Sequence, residues 1–566
     1  MADSELAFIP CGPGTSFFEL IGRFCRSMRA PFTLHRICTL MRKMGAQTVV
    51  RESVDSRSPE WQRLSVELAA LRTRVAAPMP ARTIKITFLL KPASTISDLH
   101  ALADEDFLGY AVVVDLELAQ GQFFSYIFES VIREPGIRVP SADGGVAWLP
   151  LLNNYLHVKK TFNSTVAVEK CYALCGTFFC QQNTISSVCA HACAAMVLNN
   201  APGTNGIVTC EDINAILGID HKKRKLKTTV GSNQSATHEG LTTMELEAVF
   251  QNFGFSTYGH DFRGENRKLY RDFLYGFVES GYPAILAFST ADGQNKISGH
   301  VVGLFGHTLN SDSWFPTAFV DYARQEARDV AYLSTLDWVP DFIVHDDNYG
   351  MYLCLPAHSF RPESHPDPGI RFTPFDGIGI YPSDAKVSML GYRAESLGFL
   401  RFIQALRYIA TDAALALPEL PYYLRHLLPH VERRTAVVRT TLIGSEDYAQ
   451  HLEGRDNKGV PLQEQEKALM RDSLKTHKWI WLVEISEPDL YVGNKSKVVD
   501  IVLDPSFDRN PPEVAEPING GVILMRFPGF LLTPKDQPPY APARLSVEGH
   551  LPLFVWEKGR SPCSSW

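Results

Sequence analysis

The chain has 566 residues, too many for one hydrophobic core, and its 45% apolar and 21% charged residues are those of an ordinary globular protein. A net charge of −7 gives no global attraction to nucleic acid or an anionic membrane, so neither is expected as a partner. No apolar run approaches the roughly 18 residues of a membrane span. The opening MADSELAFIPCG has neither the basic nor the apolar region of a signal peptide, and a cytoplasmic location is expected.

Residues 1 to about 80 read as helical, because FFELIGRFCRSM and LHRICTLMRKM space apolar residues at three and four. IKITFLL, YAVVVDLEL and SYIFESVI are strand-like, and EPGIRVPSADGG, from Glu134 to Gly145, reads as a loop. A helix is predicted from Cys189, with Ala194, Val197 and Leu198 on one apolar face. CEDINAILGI is a short helix with acidic residues in its first turn. The basic run HKKRKLK is read as a solvated loop.

GLTTMELEAVFQNFGF carries a helix start, with Thr242 or Thr243 as N-cap, and ends at Gly254. A helix ending at Ser280, a turn through Pro283 and a strand from Ala284 to Phe288 follow. GHVVGLFGHTL is a second strand, and DFIVHDDNYGMYL is a strand, a polar corner and another strand. The proline-rich RPESHPDPGIRFTPFDG marks a boundary. Beyond it lie one long amphipathic helix and the strand-like runs TAVVRTTLI, KWIWLVEI, KVVDIVL and GVILMRF.

Helices followed by an antiparallel sheet predict an α+β fold. Three regions are expected: 1–155, 156–360 carrying the chemistry, and 370–566; the flanking two show no motif and are expected to choose the substrate or partner, 370–566 by binding it.

Five of the eleven cysteines lie between Cys171 and Cys193, and in a reducing compartment they are thiols. Cys189 stands where a helix begins, and a helix N-terminus favours the thiolate that a nucleophile requires. A histidine can take and return the proton, a carboxylate can orient that histidine, and a side-chain amide can donate to the oxyanion. His300 is the expected base, with His307 as alternative. The odd separation of the two puts them on opposite faces of a regular strand. Asp346 is the expected orienting group, with Asp347 as alternative. Gln182, or else Asn183, is the expected oxyanion donor.

CAHACAAMVL after a glutamine-bearing loop, SGYPAILAF, GHVVGLFG and FIVHDD together resemble the papain-like cysteine peptidases. The nearest likeness is to the peptidases that remove double-glycine leaders from bacteriocins, with phytochelatin synthases second. The resemblance covers about residues 160–355. It implies a papain-like central domain, with Cys189 as nucleophile and Cys193 at the family's second cysteine. Three departures stand out: Ala190 replaces the usual glycine, Gln182 lies seven residues before Cys189 where six is usual, and about forty-five residues separate His300 from Asp346. WFPTAFVDYARQEARDVAYLSTLDW is then an insertion.

Other readings of the same residues are plainer. Cys193 is one helical turn on and fits a core position, and His191 fits a satisfied histidine. The spacings Cys171-x3-Cys175-x4-Cys180 and Cys189-x3-Cys193 match no standard zinc site. No phosphate-binding loop, dinucleotide fingerprint or H-E-x-x-H is present, so no metal and no cofactor are expected. The expected activity is that of a cysteine-nucleophile hydrolase cleaving a peptide or isopeptide bond in a protein or peptide substrate. Acyl transfer by the same intermediate, an inactive papain-like binding protein, and a redox- or metal-responsive protein are the alternatives.

Overall fold

The computed structural model describes residues 6–12, 14–28, 30–74, 79–119, 121–140, 146–150, 154–156, 160–167, 170–219, 240–263, 270–291, 297–308, 332–357, 371–410, 424, 426–428, 431, 436–453, 462–488, 490–491, 496–507, 519–536, 539–545 and 551–552. HKKRKLK and most of the expected insertion, its residues 314–331, lie outside them. The fold is α+β, with helices and mainly antiparallel sheets in two compact units. The first comprises Met1–Arg267, Tyr282–His307 and Phe342–Ile380; the second comprises Lys268–Gly281, Thr308–Asp341 and Tyr381–Trp566. Among the described residues no helix is long and apolar enough to cross a membrane.

The first unit holds two large sheets and a two-stranded one. One large sheet runs, in spatial order, Ala7–Pro10, Thr48–Ser53, Met79–Leu89, Phe107–Ala119, Gln122–Ile132, Lys170–Phe179 and Lys160–Val166, every neighbour antiparallel. The boundary read near residue 155 therefore falls inside this unit. Its N-terminal part is not wholly helical, because Thr48–Ser53 pairs on both sides. The stretch read as a loop contains the strand Gly136–Pro140, paired with Val146–Pro150.

The other large sheet carries the site. Its order is Phe255–Asp261, Arg371–Pro382, Ala284–Ala291, Ile297–Thr308, Asp341–Asp346 and Gly350–Pro356. Arg371–Pro382 lies in the proline-rich passage read as a boundary, yet it pairs along the whole of Ala284–Ala291. Pro374 is accommodated at a register shift, where a missing N–H breaks no regular ladder.

The helix Cys189–Asn200 is central to this unit. Alanine, methionine and leucine favour helix, and every residue from Ala190 to Asn200 is buried. It comes close to the strand Ile297–Thr308 at Gly303, where an added Cβ would stand 3.6 Å from Val197 Cγ2 and 2.8 Å from the Phe305 ring. This close approach brings the helix and the His300 strand together.

The second unit is built on a seven-stranded sheet. Tyr332–Ser334 pairs parallel with Ala436–Gly444, followed by Trp479–Ser486, Val499–Leu503, Val522–Phe527, Phe530–Pro534 and Tyr540–Arg544, all antiparallel. The helix Gly391–Ile409 lies on it where Gly398 meets Val483. One row of four adjacent strands carries buried charges: Arg439, Glu484, Asp500 and Arg526. Lys497, fully buried, is ion-paired to both Glu484 and Asp500.

Candidate active site

The loop that enters the Cys189 helix is locked by its own polar side chains. Asn183 Oδ1 accepts the backbone N–H groups of Ile185, Ser186 and Ser187 at 2.9, 2.8 and 3.1 Å. Asn183 Nδ2 donates to Ser186 Oγ at 2.8 Å. Asn183 is fully buried, and both ends of its amide are bonded within the loop. It is therefore a loop organiser, and the alternative of Asn183 as oxyanion donor does not fit. An asparagine followed by serines three and four residues on is a turn signal that the sequence did display.

His191 is part of the same lock. The Val188 N–H donates to His191 Nδ1 at 3.3 Å, so Nε2 carries the proton and donates to Asn214 Oδ1 at 2.9 Å. Asn214 Nδ2 in turn donates to the Ser186 carbonyl at 3.1 Å. Gln181 Oε1 accepts from Thr33 Oγ1 and from the Ile127 N–H, tying the loop to the first sheet. Thr184 sits within the loop at φ +60, a conformation that a β-branched residue rarely adopts unless its surroundings impose it.

Cys189 follows as the first helical residue and is partly exposed, whereas Cys193 is fully buried in the core. The Cys189 thiol lies near enough to His300 to raise the basicity of that imidazole. His300 Nε2 donates to Asp346 Oδ2 at 3.0 Å, which leaves Nδ1 for the thiol. Phe288, paired across from His300, presents its ring edge-on to the imidazole at 5.5 Å between centroids. Asp346 Oδ1 accepts the N–H groups of Asn348 and Tyr349 at 2.8 and 3.2 Å, so the carboxylate is fixed by the turn that follows it.

Burial of His300 by itself lowers its basicity. The hydrogen bond to Asp346, the neighbouring Cys189 thiol and the charges of Asp346 and Asp347 outweigh that and push it up to about 11. Asp347 stands off at 3.8 Å from His300 Nε2, beyond hydrogen-bonding distance. Burial raises its carboxyl to about 7, against the attraction of His300.

His307 is buried at the far end of the strand, opposite Phe342. A register shift between Leu304 and Gly306 absorbs one residue, so His300 and His307 share a face despite their odd separation. Distance separates them instead, about 20 Å at roughly 3.3 Å per residue. Gln182 is half-buried, and its Nε2 makes a long contact, 3.5 Å, with Asn348 Oδ1 in the turn that carries Asp346.

Two features at the site escaped the sequence. Phe32 and Tyr349, 69% and 59% exposed, have ring centroids 6.0 Å apart. Tyr349 belongs to the Asp346 turn, and Phe32 adjoins Thr33, which bonds Gln181. No pattern links residues so far apart in the chain. His345 is buried against the rings of Phe305 and Tyr352, and burial pushes it down to about 3, so it is neutral. Among the described residues, His300, Asp346 and Asp347 form a group able to hold a metal ion, with ligand atoms within 4.8 Å of one another.

Comparison of the chain with protein-family models finds no match, and comparison with curated proteins finds none either.

Proposed function

We propose that the chain is a cysteine-nucleophile hydrolase of papain-like plan, acting on a peptide or isopeptide bond. The observation that carries this reading is one imidazole, His300, hydrogen-bonded to the Asp346 carboxylate and made more basic by the neighbouring Cys189 thiol at a helix N-terminus. Surroundings that favour imidazolium favour transfer of the Cys189 proton to His300, and the thiolate is the attacking species.

The thiolate adds to the substrate carbonyl carbon. The resulting oxyanion is met by the Cys189 backbone N–H, which has no intrahelical acceptor at this position, and by the Gln182 amide. His300 gives its proton to the departing amine, and the C–N bond breaks to leave an acyl-thioester. Water then attacks with His300 as base, releasing the acid and restoring the thiol. Asp346 keeps the ring oriented throughout. The exposed Phe32–Tyr349 pair offers a surface for an apolar side chain of a polypeptide substrate.

Labelling with a small cysteine electrophile tests the reading, because it requires an activated thiol but no knowledge of the substrate. One fast adduct at Cys189 at neutral pH, slowed at least tenfold in His300→Ala, is the result expected. Labelling of Cys189 no faster than that of the exposed Cys171, Cys175 and Cys354 overturns it.

A further inference from the structure

Asp347 is a buried carboxyl beside His300 that the proposed chemistry does not use. Its side chain is 1% exposed, and neither carboxylate oxygen accepts a hydrogen bond from another described residue. A carboxylate so placed is costly unless a cation completes its surroundings. Asp347 Oδ1 lies 3.8 Å from His300 Nε2, and Asp346 Oδ2 lies 3.0 Å from the same nitrogen.

These are the separations of a ligand set. Two donor atoms each bound to one ion at roughly 2.1 Å stand about 3.0 Å apart when the angle at the ion is near 90°, and about 3.8 Å apart when it is near 130°. Tetrahedral and octahedral sites fall within that range. His300 and Asp346 are 15% and 10% exposed, which gives an ion a way in.

We propose that His300, Asp346 and Asp347 bind a first-row divalent cation of the zinc class, on the Nε2 side of the imidazole. One imidazole and two carboxylates suit zinc, cobalt or manganese, whereas magnesium prefers an all-oxygen shell. Cys189 is not part of the ligand group. The ion takes the place of the Nε2 proton between ring and carboxylates.

The consequence rests on the thiol chemistry proposed above. A ring bound to the ion at Nε2 carries part of its charge, so Nδ1 becomes a weaker base for the Cys189 proton. Asp346, bound to the ion, no longer orients a free ring. The ion switches the centre off, and its removal switches it on.

The test titrates chelator-treated, full-length protein with Zn2+ by calorimetry, on wild type, Cys189→Ala and Asp347→Asn, and records the absorption of the Co2+-loaded wild type. The result expected is one zinc per chain in wild type and Cys189→Ala, weakened at least tenfold in Asp347→Asn. The cobalt spectrum should show no thiolate charge-transfer band. Zinc should slow Cys189 labelling at least tenfold in wild type, reversibly with chelator, and far less in Asp347→Asn.

No zinc binding, binding unchanged by Asp347→Asn, or a thiolate band in the wild-type cobalt spectrum each overturns the proposal. The spectrum needs no variant, so a poorly folded Asp347→Asn does not protect the idea. Fast labelling without zinc binding removes the metal site and leaves the thiol reading intact. Zinc binding that depends on Asp347, without fast labelling, does the reverse.

Discussion

Asn183 holds Ser186 from two sides: its Oδ1 accepts the Ser186 backbone N–H, and its Nδ2 donates to the Ser186 hydroxyl, both at 2.8 Å. The loop into the Cys189 helix is thus preset before any substrate arrives. Asn183→Ala leaves three buried N–H groups without their acceptor, and a loss of about 2–3 kcal/mol is expected from urea denaturation. Labelling of Cys189 should slow as well. Gln182→Ala should behave in the opposite way, with stability changed by less than about 0.5 kcal/mol but hydrolysis of an acyl substrate reduced by roughly a hundredfold. Equal stability losses in the two variants would contradict this division of roles.

The two neighbouring aspartates should separate in the same manner. Asp346→Ala removes the acceptor that orients His300 and should slow Cys189 labelling by at least about tenfold. Asp347→Asn should instead raise stability in metal-free buffer, and more so at high pH. The folded carboxyl titrates near 7, above its ordinary 3.8. As pH rises from about 4 to about 7 the unfolded chain has released this proton while the folded chain keeps it, so stability falls across that window and is level above it. The gain from Asp347→Asn should therefore be larger at pH 8 than at pH 5, by about 2 kcal/mol. A gain that is the same at both pH values would count against the buried, raised carboxyl.

In the second unit, Lys497 sits between Glu484 and Asp500 with no exposure. Lys497→Ala strands two carboxylates in the interior and should cost about 3–5 kcal/mol of that unit's stability. Guanidinium denaturation followed by tryptophan fluorescence measures it, since Trp481 lies in the adjacent strand Trp479–Ser486. A loss below about 1 kcal/mol would mean that the ion pairs are solvated.

What could be read from the sequence was local. The Cys189 helix shows in its alanines, the helix Thr243–Asn252 in the Thr242–Glu245 capping box, and the His300 strand in GHVVGLFG. What escaped depends on contacts between distant residues. Nothing near Lys170–Phe179 says that it joins the sheet begun by the N-terminal strands. Pro374 argues against a strand until the register shift that accommodates it is seen. Period-two counting put His307 on the wrong face because the shift between Leu304 and Gly306 cannot be counted in advance. The choice between Asp346 and Asp347 turns on one residue of register, and the turn bonds from Asn348 and Tyr349 are what aim Asp346 at the imidazole.

The pH profile of Cys189 labelling, in metal-free buffer and by intact mass, tests the central claim most directly. An ordinary thiol becomes reactive as pH rises toward about 8.5. With Asp346 and Asp347 favouring the His300 imidazolium, Cys189 should label at least about tenfold faster than the exposed Cys171 at pH 6. In His300→Ala its rate should fall to the ordinary rising curve. A wild-type profile that climbs like that of any exposed cysteine, unchanged by His300→Ala, would contradict the account.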